Sequence, residues 1–267
     1  MAGIQERSDH YRKTIVETDI FDTALWWAPQ NVDTFEPYTD WETQLAAWRN
    51  FGIKGGLVTA QTSAKYDAAT GNEEILRLIG GYKDIFACIV LTPEMFWNAT
   101  AGRRYVEEMR KGGAAAARIF SGEYHHSTQE YAIGPMLDLL EALGMPLLVW
   151  HIDTGWDAMD RICTNHPKLK LVVESRDRKL LYHMRDYVSL MRRHENFYVE
   201  THNLVLFREI ENICSIVGDG QLLYGSYFPY MNADFSLYPI YAAEIPEESK
   251  LKIFAGNARR IFNVKDA

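Results

Sequence analysis

Cysteine is scarce: Cys88, Cys163 and Cys214 are the only three in 267 residues, an odd and widely spaced set with no CxxC pair. That excludes a disulfide framework, and the three are expected to be reduced thiols packed in the core of a cytoplasmic protein. Basic charge is also in deficit, with 28 Lys and Arg against 36 Asp and Glu for a formal net charge of −8. Cationic residues gather only in short runs such as Arg192-Arg193 and Arg259-Arg260. No stripe neutralises phosphates, so nucleic acid is not an expected partner. No stretch approaches the roughly 20 uninterrupted apolar residues of a membrane span. The polar start MAGIQERSDHYRK lacks the apolar core of a signal peptide, and no membrane partner is expected. Missing too are a GxGxxG after the first strand, a P-loop, an EF-hand loop and a nucleophile elbow. Redox and phosphoryl-transfer chemistry therefore have no positive support.

Hydrophobic residues make up 47% of the chain and charged ones 24%, the balance of a globular protein with one large core. Aromatic residues reach 13%, which points to large buried rings or a ring-lined pocket. Short apolar, β-rich runs alternate with longer amphipathic stretches from end to end, the βαβα pattern of a parallel sheet. Strands are predicted near Thr14–Ile20, Ile53–Thr59, Ile85–Leu91, Ala114–Phe120, Pro146–His151, Leu169–Glu174, Asn196–Thr201 and Gln221–Ser226. Helical patterns fall between them, near 40–51, 72–80, 101–111, 128–143, 157–165, 179–194 and 205–217. Eight strands with intervening helices make an α/β fold, a (β/α)8 TIM barrel that takes residues 1–267 as one domain. Gly144 and the His166-Pro167 pair stop two helices, and Asp40 can cap the helix that starts WETQLAAW. The connection from Trp26 to Thr39 follows the first strand and would lie over the catalytic face as a lid.

Four segments in the second half carry a resemblance: HPKLKLVVESRD, NFYVETH, GDGQLLYGSYFP and GNARRIF. They resemble strand motifs of the amidohydrolase-related family, the second large amidohydrolase group of metal-dependent TIM-barrel hydrolases and decarboxylases. In the first half the match is mainly architectural, with Glu17-Thr18-Asp19-Ile20-Phe21 standing where that family has Asp-Ala-His-Val-His. The resemblance implies one metal held from strand ends, and most of its ligand types are replaced here. Asp19 and Phe21 stand for the first two histidines and His151, in LLVWHIDTG, for the third. Ser175 stands for the histidine of strand six, and Tyr227 for the aspartate of Gly-Ser-Asp. Two ligand-type residues fall short of the three or more protein ligands of a catalytic zinc, so neither metal nor other cofactor is expected. Glu174, next to Ser175, is expected to point away from the pocket. Glu200 and His202 share a face at the end of strand seven and could join a rebuilt site.

Without a metal, acid and base work falls to side chains. Asp19, His151 and Tyr227 are the catalytic candidates. Asp19 is a pocket carboxylate or half of a structural salt bridge. His151 is an acid or base oriented by Asp153, unless Asp153 instead caps the helix near Trp156. Tyr227 is a donor to a carbonyl or oxyanion, or a ring filling the vacated cavity. Arg118, Ser175, Arg176, Glu200 and His202 are the substrate-binding candidates. Arg118, Arg176 and Arg178 offer guanidinium forks for a carboxylate, or else salt bridges to Glu174 or Asp177. The expected function is metal-independent hydrolysis or lyase chemistry on a small carboxylated or carbonyl-containing molecule. Alternatives are a non-catalytic binder of a metabolite or protein partner at the same mouth, and a metal hydrolase with an unusual ligand set. A homodimer is expected from the prevalence of two-fold assemblies.

Overall fold

The first expected strand is a helix. The computed structural model describes residues 2–29, 37–176 and 180–264. In it Ala2–Glu17 forms a 16-residue helix, α1, and the first strand, β1, runs from Phe21 to Trp27. Ile15 and Val16 suggest a strand because they are β-branched. The hydroxyls of Thr14 and Thr18 instead donate back to the carbonyls of His10 and Thr14, within the helix. Phe21–Trp27 is buried at every position, as a parallel barrel strand must be and the polar run before it is not. Tyr11 and Arg12 clamp α1 to the body by binding the Asp234 carboxylate.

The remaining strands lie close to their expected places: β2 Gly55–Ala60, β3 Ile85–Val90, β4 Ala114–Ile119, β5 Leu147–Trp150, β6 Leu171–Glu174, β7 Phe197–Glu200 and β8 Leu222–Leu223. They form one parallel sheet in the order β1 to β8. The ring closes where Thr23 N donates to Tyr224 O at 3.0 Å and Trp26 N donates to Phe228 O at 2.8 Å. The fold is the expected (β/α)8 TIM barrel. Asp40 caps its helix through Thr43 N at 2.8 Å. Gly144 ends another helix with φ 62°, a left-handed value that glycine adopts without a Cβ clash.

Each strand sends one side chain into the lower interior: Phe21, Leu57, Cys88, Ala116, Leu148, Val172, Tyr198 and Leu223. A second, larger apolar layer lies between strands and helices. Side chains alternate along a strand, so the residues two further on face the same interior, nearer the C-terminal ends. The last motif, GNARRIF, serves the fold at the other end. Asn257 Nδ2 donates to the carbonyls of Asp219 and Leu222 at 2.7 and 2.9 Å, pinning β8. Among the described residues no helix is long and apolar enough to cross a membrane. Of the expected lid, Trp26 and Trp27 belong to β1, and residues 30–36 lie outside the described part.

Candidate functional site

Two residues above Ala116, Val172 and Tyr198, the barrel interior turns charged. Arg118 of β4 donates from Nη2 to Oε1 of Glu174 of β6 at 2.6 Å, with both side chains buried. The guanidinium carbon lies 4.9 Å from the Trp26 ring centre, close enough for a cation–π contact. Burial pushes Glu174 up to about 8, against the pull of Arg118, and nearby Glu200 and Asp22 add to the rise. Burial also pushes the Cys88 thiol up to about 11, which leaves it protonated and unreactive at neutral pH.

Glu200, at the end of β7, folds back on its own strand. Its carboxylate accepts from the backbone N of His202 at 2.7 Å and from Nδ1 of the His202 imidazole. The imidazole stacks on Tyr227 at 4.7 Å and 8°. Tyr227 adopts φ 54°, a left-handed conformation costing roughly 1–2 kcal/mol for a residue with a Cβ. Its neighbours hold it there, since Phe228 N donates to Ser226 Oγ at 3.0 Å and Phe228 O accepts from Trp26 N. The glycine of the same motif makes room for Glu200: a Cβ on Gly225 would lie 2.0 Å from Glu200 Oε1 and 2.4 Å from Cδ. Gly225→Ala should therefore unseat the carboxylate and cost about 1–3 kcal/mol, as overpacking does. Urea denaturation measures this, and an alanine variant as stable as wild type would mean that Glu200 has room to move.

Above this layer the mouth is lined by rings. Trp26, Phe120 and Trp150 are buried and form one cluster with the half-buried Tyr227 and Tyr230. Phe120 and Trp150 have centroids 4.4 Å apart, and Tyr227 stacks on Tyr230 at 5.0 Å. Within this aromatic wall several buried donors have no acceptor among the described residues: the indole N–H groups of Trp26 and Trp150, and Nε and Nη1 of Arg118. Nε2 of His202 and Oε2 of Glu174 are likewise buried without a hydrogen-bond partner among the described residues.

The barrel brings together Arg118, Glu200, His202 and Tyr227 of the expected set. Asp19 is elsewhere. It precedes β1, at the N-terminal end, and makes two hydrogen bonds with Arg259 at 2.8 and 2.9 Å. The proposed match of Glu17–Phe21 to a ligand strand fails with it, because Phe21 opens β1 and sits in the lower interior. His151 begins a helical turn, His151–Thr154, just after β5, and Trp150 takes the inward position. His151 is buried, with Nδ1 3.4 Å from the Glu174 carbonyl and its ring stacked on Trp156. Asp153 does not cap the next helix, whose N-cap is Gly155. Ser175 also faces outward, its Oγ accepting from Asn203 Nδ2 at 2.7 Å and from Leu180 N at 3.3 Å. Glu174, expected to point away, is the inward residue of β6. Arg176 stands at the rim, 2.7 Å from Glu123 and with its guanidinium 4.7 Å from the Trp150 ring centre. Arg178 lies outside the described residues.

This donor set does not fit a catalytic metal. Among the described residues no three His, Cys, Asp or Glu side chains converge to hold one. Rings occupy the strand ends at Trp26 and Trp150, while Glu174 is paired with Arg118 and Glu200 with His202. Zinc asks for three or four protein ligands and manganese for an oxygen-rich octahedron, and the described residues assemble neither.

A family model described as Amidohydrolase matches residues 56–264. No curated protein matches the chain. Solved structures do. 2,6-Dihydroxybenzoate decarboxylase from Rhizobium is 14% identical, with 92% of this chain and 99% of that one covered and a TM-score of 0.67. 5-Carboxyvanillate decarboxylase from Sphingomonas paucimobilis is 15% identical, with 92% and 99% covered and a TM-score of 0.70. Dihydroxybenzoic acid decarboxylase from Polaromonas sp. JS666, solved with manganese and 2-nitroresorcinol, is 14% identical, with 94% and 98% covered and a TM-score of 0.70. At such identities the likeness is one of fold.

Proposed function

The chain belongs to the amidohydrolase family, and on that premise we propose that it is an enzyme binding a small carboxylated or carbonyl-bearing molecule at the C-terminal mouth of its barrel. It breaks a bond there by hydrolysis or lyase chemistry that its own side chains carry, without a metal. The observation behind this reading is the set of buried donors that lack acceptors, on Arg118, Trp26 and Trp150. Indole and guanidinium groups only donate, and each buried donor left unmade costs about 1–3 kcal/mol. The complementary ligand therefore brings acceptor oxygens, and the aromatic wall of Trp26, Phe120, Trp150 and Tyr227 favours a flat one. 2,6-Dihydroxybenzoate and 5-carboxyvanillate, after which two of the structural relatives are named, combine a ring with such oxygens.

In this reading Arg118 fixes the acceptor end of the ligand, and Glu174 beside it sets how much positive charge Arg118 offers. Glu200, His202 and Tyr227 face the ligand from the β7–β8 side, and Arg176 guards the rim. Asp19 has no part. The tight packing of Phe120 on Trp150 favours a second reading, a binder without turnover at the same mouth.

Calorimetry with benzoate and benzamide separates a carboxylate site from a merely apolar one. Benzoate should bind more tightly than benzamide, and toluene, which has no acceptor, should not bind; Arg118→Lys should weaken benzoate about tenfold, equivalent to ~1.4 kcal/mol. Mass spectrometry of chelator-treated protein with aryl carboxylates, esters and lactones then tests turnover. Equal affinity for benzoate and toluene would sink the acceptor-binding site, and no substrate consumed would sink the enzyme reading. Stoichiometric zinc or manganese in protein purified without chelator would overturn its metal independence.

A further inference from the structure

We infer that Glu200 and His202 form a proton-transfer dyad in which Glu200 holds the Nδ1 edge of the imidazole and Nε2 takes a proton from the bound ligand. The inference rests on the proposed carboxylate-binding mouth and names the group that does chemistry there. Three observations carry it. The Glu200 carboxylate is fully buried and engages both the backbone N and the ring Nδ1 of His202, so the proton on the imidazole belongs on Nδ1. Nε2, on the opposite edge, is buried and has no hydrogen-bond partner among the described residues. The ring is clamped flat against Tyr227, part of the aromatic wall, which fixes where Nε2 points. Position 225 has no side chain, and Glu200 fills the space that one would take. The dyad is thus built into the glycine of the GSYFP motif.

Among the described residues the ring contacts Glu200 on its own strand and Tyr227 after β8, and the Arg118–Glu174 pair from β4 and β6 shares the barrel interior with Glu200. Glu200 lies close enough to Glu174 to raise it. The step is a proton transfer: the ligand's O–H bond breaks, its electron pair stays on oxygen, and the Nε2 lone pair forms the new N–H bond. The imidazolium formed is stabilised by the adjacent Glu200 carboxylate, and returning the proton closes the cycle.

The test uses the full chain and 4-hydroxy-3-nitrobenzoate, which offers a carboxylate to the Arg118 side and a phenol whose ionisation is visible as a yellow band. At a pH below the free dye's own ionisation, bound dye should show the phenolate band in wild type. In Glu200→Gln and His202→Asn, dye held bound at saturating concentration should lose the band. Imidazole nitrogen NMR of the labelled protein supplies a readout independent of ligand. His202, assigned by the signal lost in His202→Asn, should carry its proton on Nδ1. Glu200→Gln should move that proton to Nε2, because an amide N–H facing Nδ1 demands an acceptor there. Dye bound without the phenolate band, or a wild-type imidazole protonated on Nε2, overturns the dyad while leaving the carboxylate site standing. Failure of the wild-type protein to bind the dye at all overturns both.

Discussion

Replacing Glu174 with methionine should cost about 3 kcal/mol of unfolding free energy, the upper end for leaving a buried donor unmet, because the Glu174 carboxyl supplies Arg118 Nη2 with an acceptor oxygen even when it holds its proton. Arg118 cannot shed its charge, and its Nε and Nη1 already lack acceptors. Deleting the carboxyl would strip the last one from Nη2 inside the barrel. Glu174→Gln keeps an oxygen for that bond and should cost far less. The pH dependence separates the two roles of the residue. Burial raises Glu174 in the folded protein to about 8, whereas an unfolded glutamate titrates near about 4.3. Between those values the native state keeps a proton that the unfolded state has lost. Its contribution is therefore full below the unfolded value and falls as pH rises toward 8. Wild type should lose stability across that window, and Glu174→Gln should lose less, because it cannot ionise. Denaturation at several pH values measures both. A methionine variant within about 1 kcal/mol of wild type would mean that Arg118 Nη2 finds another acceptor.

The barrel was legible in the sequence because eight apolar runs at helical spacing leave few other architectures, and the motifs of β6 to β8 fell on strands as expected. The parity of those strands was not. LLVW of β5 and LVVE of β6 are buried at every position, so no polar and apolar alternation marks which side chains face inward. A one-residue shift exchanges the two faces, and it separates His151 from Trp150 and Ser175 from Glu174. The sequence does hold a signal for the correct parity. Trp150, Glu174 and Glu200 each end their strands two residues after a lower-layer residue, and Arg118 sits at the same step on β4. One carboxylate facing one guanidinium across a barrel is a pairing that charge alone suggests. Glu200 and His202 were legible because both inward positions are polar against an apolar background. Asp19 misled because Ile15 and Val16 mimic a strand start, which shifted the whole first strand toward the N-terminus.

The same misplacement hid Asp22, and Asp22→Ala should cost about 3–5 kcal/mol. Its fully buried carboxylate accepts from Trp48 Nε1 at 2.8 Å, from Ala24 N at 2.9 Å and from Ser226 N at 2.8 Å, and it also takes the Ser226 hydroxyl. Burial raises this carboxyl above its ordinary range while those donors pull it down. Alanine would leave four buried donors unmet at about 1–3 kcal/mol each before relaxation, and partial collapse of the site accounts for the smaller total. The damage should not stay local. Asp22 joins β1 to the segment after β8, and Ser226 passes that constraint to Phe228 N through its hydroxyl. Tyr227 lies between them, held left-handed against His202. Loss of Asp22 should speed amide exchange at Trp26 and Ser226 and free the Tyr227 ring from the imidazole, whereas Asp22→Asn, keeping one acceptor oxygen, should do so less. Hydrogen exchange read residue by residue decides it. If those amides exchange at wild-type rates in Asp22→Ala, the seam is fastened by its backbone bonds alone, and the tyrosine at the mouth owes its position to the rings around it.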